Sequence, residues 1–181
     1  MKSQYLLPVS TFAIAICTIL LGGKSALAAD PTFSCQVGDE ERLTTVAKSS
    51  NGVEQPVFHW RNINAAATSA APKQLCNSVA QKLNDYLESG NDVSSLIFKA
   101  STVLSNDEDL TNLPAVCVAQ GTEPCKLPLF TLNPSGNPEA TASSTLDSIL
   151  DPALQTTPVK SADRGVQSTS YKVNFWDLFS K

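Results

Sequence analysis

The clearest helical pattern of the chain lies at residues 72–90, which read PKQLCNSVAQKLNDYLESG. Its apolar residues recur at steps of three and four and therefore share one stripe of a helix. The stripe consists of Leu75, Cys76, Val79, Ala80, Leu83, Tyr86 and Leu87. Pro72 is typical of a first helical turn, and Gly90 is typical of the position just past a helix end. Because Cys76 lies on the stripe, we expect it to face inward, as a structural disulfide requires.

Short extended segments precede this helix. The sequence predicts them at residues 31–38, 42–48 and 55–61. Between the second and third segments, Asn51-Gly52 tolerates the positive φ angles that tight hairpins need. The three segments therefore predict a hairpin or meander.

Further strands and a second helix follow the long helix. Strands are predicted at residues 95–104, 115–119, 127–132 and 171–175. Pro128 indicates an edge position because proline lacks a backbone donor. Residues 138–150 predict a short helix, and the polar, proline-containing residues 151–170 predict a loop. Together these elements predict an α+β fold in which an antiparallel sheet packs with one long and one short helix.

Residues 1–28 have the three-part organisation of a secretory signal peptide. Lys2 supplies a positive start, residues 6–21 are almost wholly apolar, and Ala26-Leu27-Ala28 supplies a small-residue cleavage site. The apolar run is shorter than the roughly 20 residues that cross a bilayer comfortably, and a retained membrane anchor is the alternative interpretation. We predict a single exported domain at residues 29–181, outside the cytoplasm. Periplasm, thylakoid lumen and medium all accept the same leader.

Charge and composition exclude several classes of function. Without Lys2 and Lys24, 11 of the 13 basic residues remain against 17 acidic ones, a net charge of −6. The lysines are scattered singly, so we predict no nucleic-acid partner. The chain has one histidine, which excludes a catalytic histidine pair or a histidine-rich metal cluster. We predict no cofactor.

Cysteine usage indicates disulfides. Of the five cysteines, Cys35, Cys76, Cys117 and Cys125 lie outside the leader. An even number in an exported chain predicts two disulfides, and the sequence alone permits three connectivities. Zinc is an alternative, but its cysteine ligands usually form pairs about two to four residues apart, and the closest pair here is eight apart. A redox-active pair is another alternative that usually needs a tightly spaced, activated thiol.

The order of these landmarks resembles a known family. The matching segments are Phe33–Cys35, Thr44–Ala47, Gly52, Pro56–Trp60, Leu75–Val79, Val116–Ala119, Gly121–Cys125 and Leu129–Pro134. Over residues 33–176 the chain resembles the circadian oscillating polypeptide family of cyanobacteria. The resemblance implies an exported or membrane-associated protein with no established catalytic residues, and the family name refers to rhythmic abundance.

Of the three connectivities, we predict Cys35–Cys76 and Cys117–Cys125. The first bond would tie the first strand to the long helix, and the second would clamp a hairpin. Both are predicted to be structural.

His59 is the only candidate imidazole for catalysis. Neighbouring strand residues point to opposite faces, so with Trp60 inward we expect His59 to be an exposed strand residue. All four cysteines outside the leader are assigned to disulfides, and no Gly-x-Ser-x-Gly elbow occurs. We therefore predict no catalytic residues. Residues 106–109 predict a solvated acidic turn, with calcium binding as the alternative.

The aromatic segment 171–181 has two interpretations, a last strand docked on the core or an exposed contact for a partner or membrane surface. The candidate interaction surface comprises His59, Tyr171, Trp176 and Phe179. We predict a non-enzymatic binding or structural module, peripheral to a membrane complex, with a protein partner. A protease inhibitor presenting the loop 118–124 is the alternative, because a disulfide-clamped loop is pre-organised. A hydrolase using carboxylates alone is the third hypothesis.

Overall fold

A computed structural model describes residues 30–38, 42–63, 68–92, 96–105, 111–120, 125–155, 158, 161–163 and 166–179. The strands are β1 (Thr32–Val37), β2 (Leu43–Lys48), β3 (Glu54–His59), β4 (Leu96–Leu104), β5 (Asn112–Ala119), β6 (Leu127–Thr131), β7 (Ser161–Asp163), β8 (Val166–Ser168) and β9 (Ser170–Val173). The helices are α1 (Pro72–Glu88), α2 (Pro138–Ile149) and α3 (Phe175–Phe179), and short 3₁₀ turns lie at Trp60–Asn62 and Pro152–Leu154. The predicted leader and the predicted acidic turn at 106–109 lie outside the described residues.

The strands form two main antiparallel sheets. The first sheet has the order β1-β2-β3 and the second sheet has the order β6-β5-β4-β9, while β7 and β8 pair separately. The predicted α+β class is confirmed, but the strands are divided between two sheets where one was expected. Alternating polarity identifies a strand without naming its partner, because pairing is decided by contacts distant in sequence.

The loop predicted at 151–170 is wrong in part. It contains the turn Pro152–Leu154 and the hairpin of β7 and β8. Each of these two strands has three residues, which is too short for a period-two pattern to be visible. The predicted strand at 171–175 also ends early, because the side chain of Asn174 accepts the backbone N–H of Trp176 and thereby starts α3.

A row of contacting aromatic side chains joins the two sheets through the core. Phe58 of β3 lies 4.8 Å from Phe98 of β4 and 5.9 Å from Trp60, measured between ring centroids. Trp60 in turn lies 5.5 Å from Phe130 of β6. Its buried indole N–H donates to Thr45 at 2.9 Å, so the large apolar ring carries no unpaired donor.

Helix α1 follows the predicted stripe. All seven stripe residues are buried. The helix begins at Pro72, and Gly90 has a φ of 79°, a conformation that glycine adopts without steric cost. The sequence therefore identified both the buried face and the limits of this helix.

Side chains of α1 cover an edge of each sheet. The Asn84 amide donates to the carbonyl of Phe33 at 2.8 Å and accepts the N–H of Phe33 at 2.7 Å, as a neighbouring strand would. The Lys82 ammonium donates to the carbonyls of Pro128 and Leu129, each at 2.9 Å. The edge position predicted for Pro128 is confirmed, and these contacts blunt edges that would otherwise invite pairing with another chain.

Both predicted disulfides are present. Cys35 of β1 is bonded to Cys76 of α1, and Cys117 of β5 is bonded to Cys125 just before β6. The zinc alternative is wrong for these cysteines, because their sulfur atoms are bonded to one another.

Candidate functional site

Thr44 and His59 meet at one end of the first sheet. A register shift between Thr45 and Val46 leaves Thr44 opposite His59 in the pairing of β2 with β3. The hydroxyl of Thr45 contacts the Sγ atom of Cys76 in α1. Because neighbouring residues alternate between faces, Thr44 points to the face of the sheet away from α1.

The end of helix α2 brings Asp151 to the same place. Leu150 forms a bridge with Phe58, and the N–H of Asp151 donates to the carbonyl of Val57 at 2.9 Å. The Oδ2 atom of Asp151 then lies 2.7 Å from Nε2 of His59. Its other oxygen accepts the N–H of Ala153 at 2.9 Å, so both carboxylate oxygens are engaged.

His59 lies in strand β3 as expected, but it is half-buried where an exposed side chain was expected. Its side chain is 33% exposed and that of Asp151 is 14% exposed. Trp60 is buried as predicted, but it begins a 3₁₀ turn. The Asp151 carboxylate, which contacts the imidazole, lies 92 residues away in sequence. A local sequence pattern therefore could not predict this contact.

A cleft of about 260 Å³ opens beside this histidine. It is lined by Gly38, Arg42, Leu43, Thr44, His59 and Arg61. Arg42 and Arg61 are both exposed to solvent. Among the described residues, the lining holds two guanidinium groups, an imidazole and a hydroxyl but no carboxylate, so this part of the wall is rich in hydrogen-bond donors.

Four residues of this site were not predicted, namely Arg42, Thr44, Arg61 and Asp151. Arg42 and Thr44 are two positions apart, as are His59 and Arg61, and in an extended chain that spacing places side chains on one face. The spacing alone does not show that the two pairs meet, which depends on the pairing of β2 with β3.

His59 lies between a hydroxyl and a carboxylate. A general base should lie within about 2.6–3.2 Å of the hydroxyl that it activates, whereas Nδ1 of His59 lies 3.5 Å from the Thr44 hydroxyl. Asp151 engages the other ring nitrogen, as the orienting carboxylate does in a nucleophile–base–carboxylate triad. The long contact between Thr44 and His59 is the feature that departs from such a triad.

The aromatic C-terminal segment divides into buried and half-buried parts. Tyr171 is 7% exposed, and its hydroxyl donates to Asp147 at 2.8 Å. Burial, aided by the nearby Asp147 carboxylate, raises the pKa of Tyr171 to about 12. Tyr171 therefore belongs to the core, and including it in an exposed interaction surface was wrong.

The remaining aromatic residues cluster around Phe175. The ring of Phe175 is buried and lies 5.5 Å from that of Phe33 in an edge-on contact. Phe179 stacks on Phe175 at 6.0 Å, and both Phe179 and Trp176 are half-buried. The contacts of His59 are instead with Thr44 and Asp151, so the predicted surface is not one continuous cluster of contacts.

A second cleft, of about 240 Å³, lies between the end of α1 and β6. Its lining includes Lys82, Asp85, Tyr86, Asn91 and Lys126. The Lys126 ammonium donates to Asn91 at 2.8 Å and to Gln120 at 2.7 Å, and it lies 5.5 Å from the centre of the Tyr86 ring. Burial lowers the pKa of Lys82 from its ordinary value. The cleft's ammonium groups are thus largely committed to structural hydrogen bonds.

Part of the loop considered for protease inhibition is inaccessible. Val118 and Ala119 are buried within β5, so they are not presented to a protease. Gln120 is exposed, and residues 121–124 lie outside the described residues.

Residues 32–179 match the model of a family described as Circadian oscillating protein COP23. The chain belongs to this family. The matched region includes both disulfides, the cleft beside His59 and the docked aromatic segment. The resemblance inferred from the order of the cysteine, tryptophan and Asn-Pro landmarks is confirmed. Neither the curated proteins nor the solved structures contain a match to the chain.

Two further findings concern the surroundings of this family member. Its two disulfides are typical of an oxidising environment outside the cytoplasm. None of the helices in the described part of the chain combines the length and apolar character needed to span a bilayer.

Proposed function

We propose that this member of the family is a non-enzymatic binding module that acts outside the cytoplasm, at the periphery of a membrane complex, with a protein partner. The observation that carries the proposal is the donor-rich cleft beside His59, built on a sheet that a disulfide fastens to α1. A site held on rigid elements loses little entropy when it binds its partner.

The contacts of His59 differ from those of an assembled nucleophile–base pair. The Thr44 hydroxyl lies 3.5 Å from Nδ1 of His59, beyond the range of about 2.6–3.2 Å for an activated nucleophile. The two disulfides consume the thiols of four cysteines, which removes these cysteines as nucleophiles. These two features support binding as the proposed role.

Export and peripheral location are supported by other features. The predicted leader at residues 1–28 and the two disulfides both fit an oxidising compartment. Trp176 and Phe179, half-buried at the C-terminal segment, are residue types enriched at interfaces. They provide a second surface for the partner.

Cell fractionation combined with cross-linking tests the proposal. The full chain is produced with a C-terminal tag in its native cells, which are then separated into cytoplasm, extracytoplasmic fluid and membranes. We expect the chain to lack its leader, to be released from membranes by an alkaline wash, and to cross-link to one reproducible protein. Substituting Trp176→Ala should weaken that cross-link, whereas Lys172→Gln, an exposed residue of β9, should leave it unchanged.

Two outcomes would contradict the proposal. One is recovery of the uncleaved chain in the cytoplasm. The other is saturable hydrolysis of ester or peptide substrates by the purified protein that disappears with His59→Ala, because such activity would assign a catalytic role to the imidazole.

A further inference from the structure

We propose that the cleft beside His59 binds an oxyanion, a carboxylate or phosphate-type group. This inference names the chemistry that the proposed binding module recognises, and it rests on that proposed function. The cleft lining and the contacts of Asp151 support it.

The cleft lining matches a ligand made of acceptor atoms. Arg42 and Arg61 come from different parts of the chain, before β2 and after β3, yet both line the same 260 Å³ space. A guanidinium group presents a planar fork of donors that fits the paired oxygens of carboxylates and phosphates. Thr44 adds a hydroxyl that can donate to a third oxygen.

The Asp151 carboxylate lies outside the described lining of the cleft, and its two oxygens are used by His59 and by the N–H of Ala153. Residues 39–41, Asp-Glu-Glu, precede Arg42 in the chain and lie outside the described residues. Arg61 is distant from that acidic segment in sequence and therefore gives the sharper test.

Asp151 engages Nε2 of His59, so Nδ1 is the ring nitrogen on the side of Thr44. The imidazole and the Thr44 hydroxyl both line the cleft and lie 3.5 Å apart. A bound oxyanion can accept a hydrogen bond from the hydroxyl.

Nuclear magnetic resonance of the single histidine tests this inference directly. The oxidised protein is titrated with sodium sulfate and, separately, with sodium acetate, with sodium chloride at matched ionic strength as the control. Sulfate represents phosphate-type groups, and neither probe changes its charge between about pH 6 and pH 8. We expect a saturable shift of the His59 signals with at least one probe and none with chloride. Saturation by acetate alone would indicate a carboxylate ligand, and saturation by sulfate alone would indicate a phosphate-type ligand.

Matched variants identify the binding residues. Arg61→Gln should weaken binding about tenfold, since a hydrogen bond to a charged group contributes about 1.5 kcal/mol or more. Lys172→Gln removes the same charge from exposed β9 and should change affinity less than twofold. In His59→Gln, followed by thermal unfolding, anion stabilisation should persist.

Three results would overturn the inference. They are a response that does not saturate, an equal response to chloride, and equal losses in Arg61→Gln and Lys172→Gln. If anions fail to bind while the membrane partner still cross-links, the binding module stands without this ligand. If anions bind but the chain is found in the cytoplasm, the inference that the cleft binds anions is retained, whereas the proposed function is contradicted.

Discussion

Helix α1 and the end of helix α2 both connect the two sheets, but they do so by different chemistry. α1 is joined to the first sheet by the Cys35–Cys76 disulfide and the Asn84 amide, and to the second sheet by Lys82. The end of α2 uses carboxylates, with Asp151 on His59 of the first sheet and Asp147 on Tyr171 of the second. The covalent connection therefore lies at α1, which also contributes an amide and an ammonium group, whereas the end of α2 contributes two carboxylates.

This difference has a physical consequence for stability. Carboxylates near the C-terminal end of a helix interact unfavourably with the helix dipole, so Asp147 and Asp151 depend on their partners. The Tyr171 phenol loses its proton at high pH, whereas a disulfide and an amide keep their charge. The lowered pKa of Lys82 makes the contact of α1 with β6 sensitive to alkaline pH as well. We expect reduction to loosen the connection of α1 to the first sheet, and alkaline pH to act at the end of α2 and at Lys82.

Removal of the disulfides should have the largest effect. In the chain-entropy model, a bond that closes 41 residues stabilises the fold by about 4 kcal/mol, and one that closes eight residues by about 2.5 kcal/mol. Cys35→Ala with Cys76→Ala should therefore cost more than Cys117→Ala with Cys125→Ala. Equilibrium unfolding in urea measures both losses. Equal losses, or a larger loss for the short loop, would show that the α1 connection is not the dominant one.

Loss of the Asn84 amide should have an intermediate effect. Asn84→Ala leaves the backbone N–H and carbonyl of Phe33 without their partner, which should cost about 1–3 kcal/mol in the free energy of unfolding. Asn77→Ala, at an exposed position of the same helix, is the matched control. If the two variants lose the same stability, the edge contact contributes nothing specific.

Near neutral pH, the smallest change in the free energy of unfolding should come from loss of the Tyr171 hydroxyl, which donates to Asp147 near the end of α2. The pKa of Tyr171 is raised from 10.0 to about 12, so the folded state favours the protonated phenol. The resulting stability is fully present below pH 10 and is lost as pH rises through about 12. The difference in phenolate absorbance between the unmodified chain and Tyr171→Phe should therefore appear near pH 12.

Formation of the Tyr171 phenolate near the ordinary pKa of a phenol would contradict this prediction. It would mean that the hydroxyl is open to water and that Asp147 does not hold it. The end of α2 would then be attached to the second sheet by apolar packing alone.

Some parts of this fold could be predicted because short-range sequence patterns specify them. The stripe of α1 repeats within one helix, and Pro128 announces an edge because it lacks a donor. The division into two sheets could not be predicted in the same way. The hairpin of β7 and β8 was missed because three-residue strands carry no periodic signal.

The candidate site was harder to predict than the fold. His59 could be singled out as the sole histidine, but its exposure was misjudged because Asp151 is distant in sequence. Arg42 and Arg61 carried no motif, and their meeting depends on the pairing of β2 with β3. A site assembled from separate elements leaves little trace in any one of them.

The amino-acid sequence alone determined the α+β class, the buried face of α1, the family resemblance and the number of cysteines available for disulfides. These are properties of composition, periodicity and local order. The tertiary structure decided that α1 covers edges of both sheets, that Asp151 reaches His59 and that two arginines share one cleft. The physical reason is that such contacts depend on strand register and helix placement, which many distant residues set together through packing of the core.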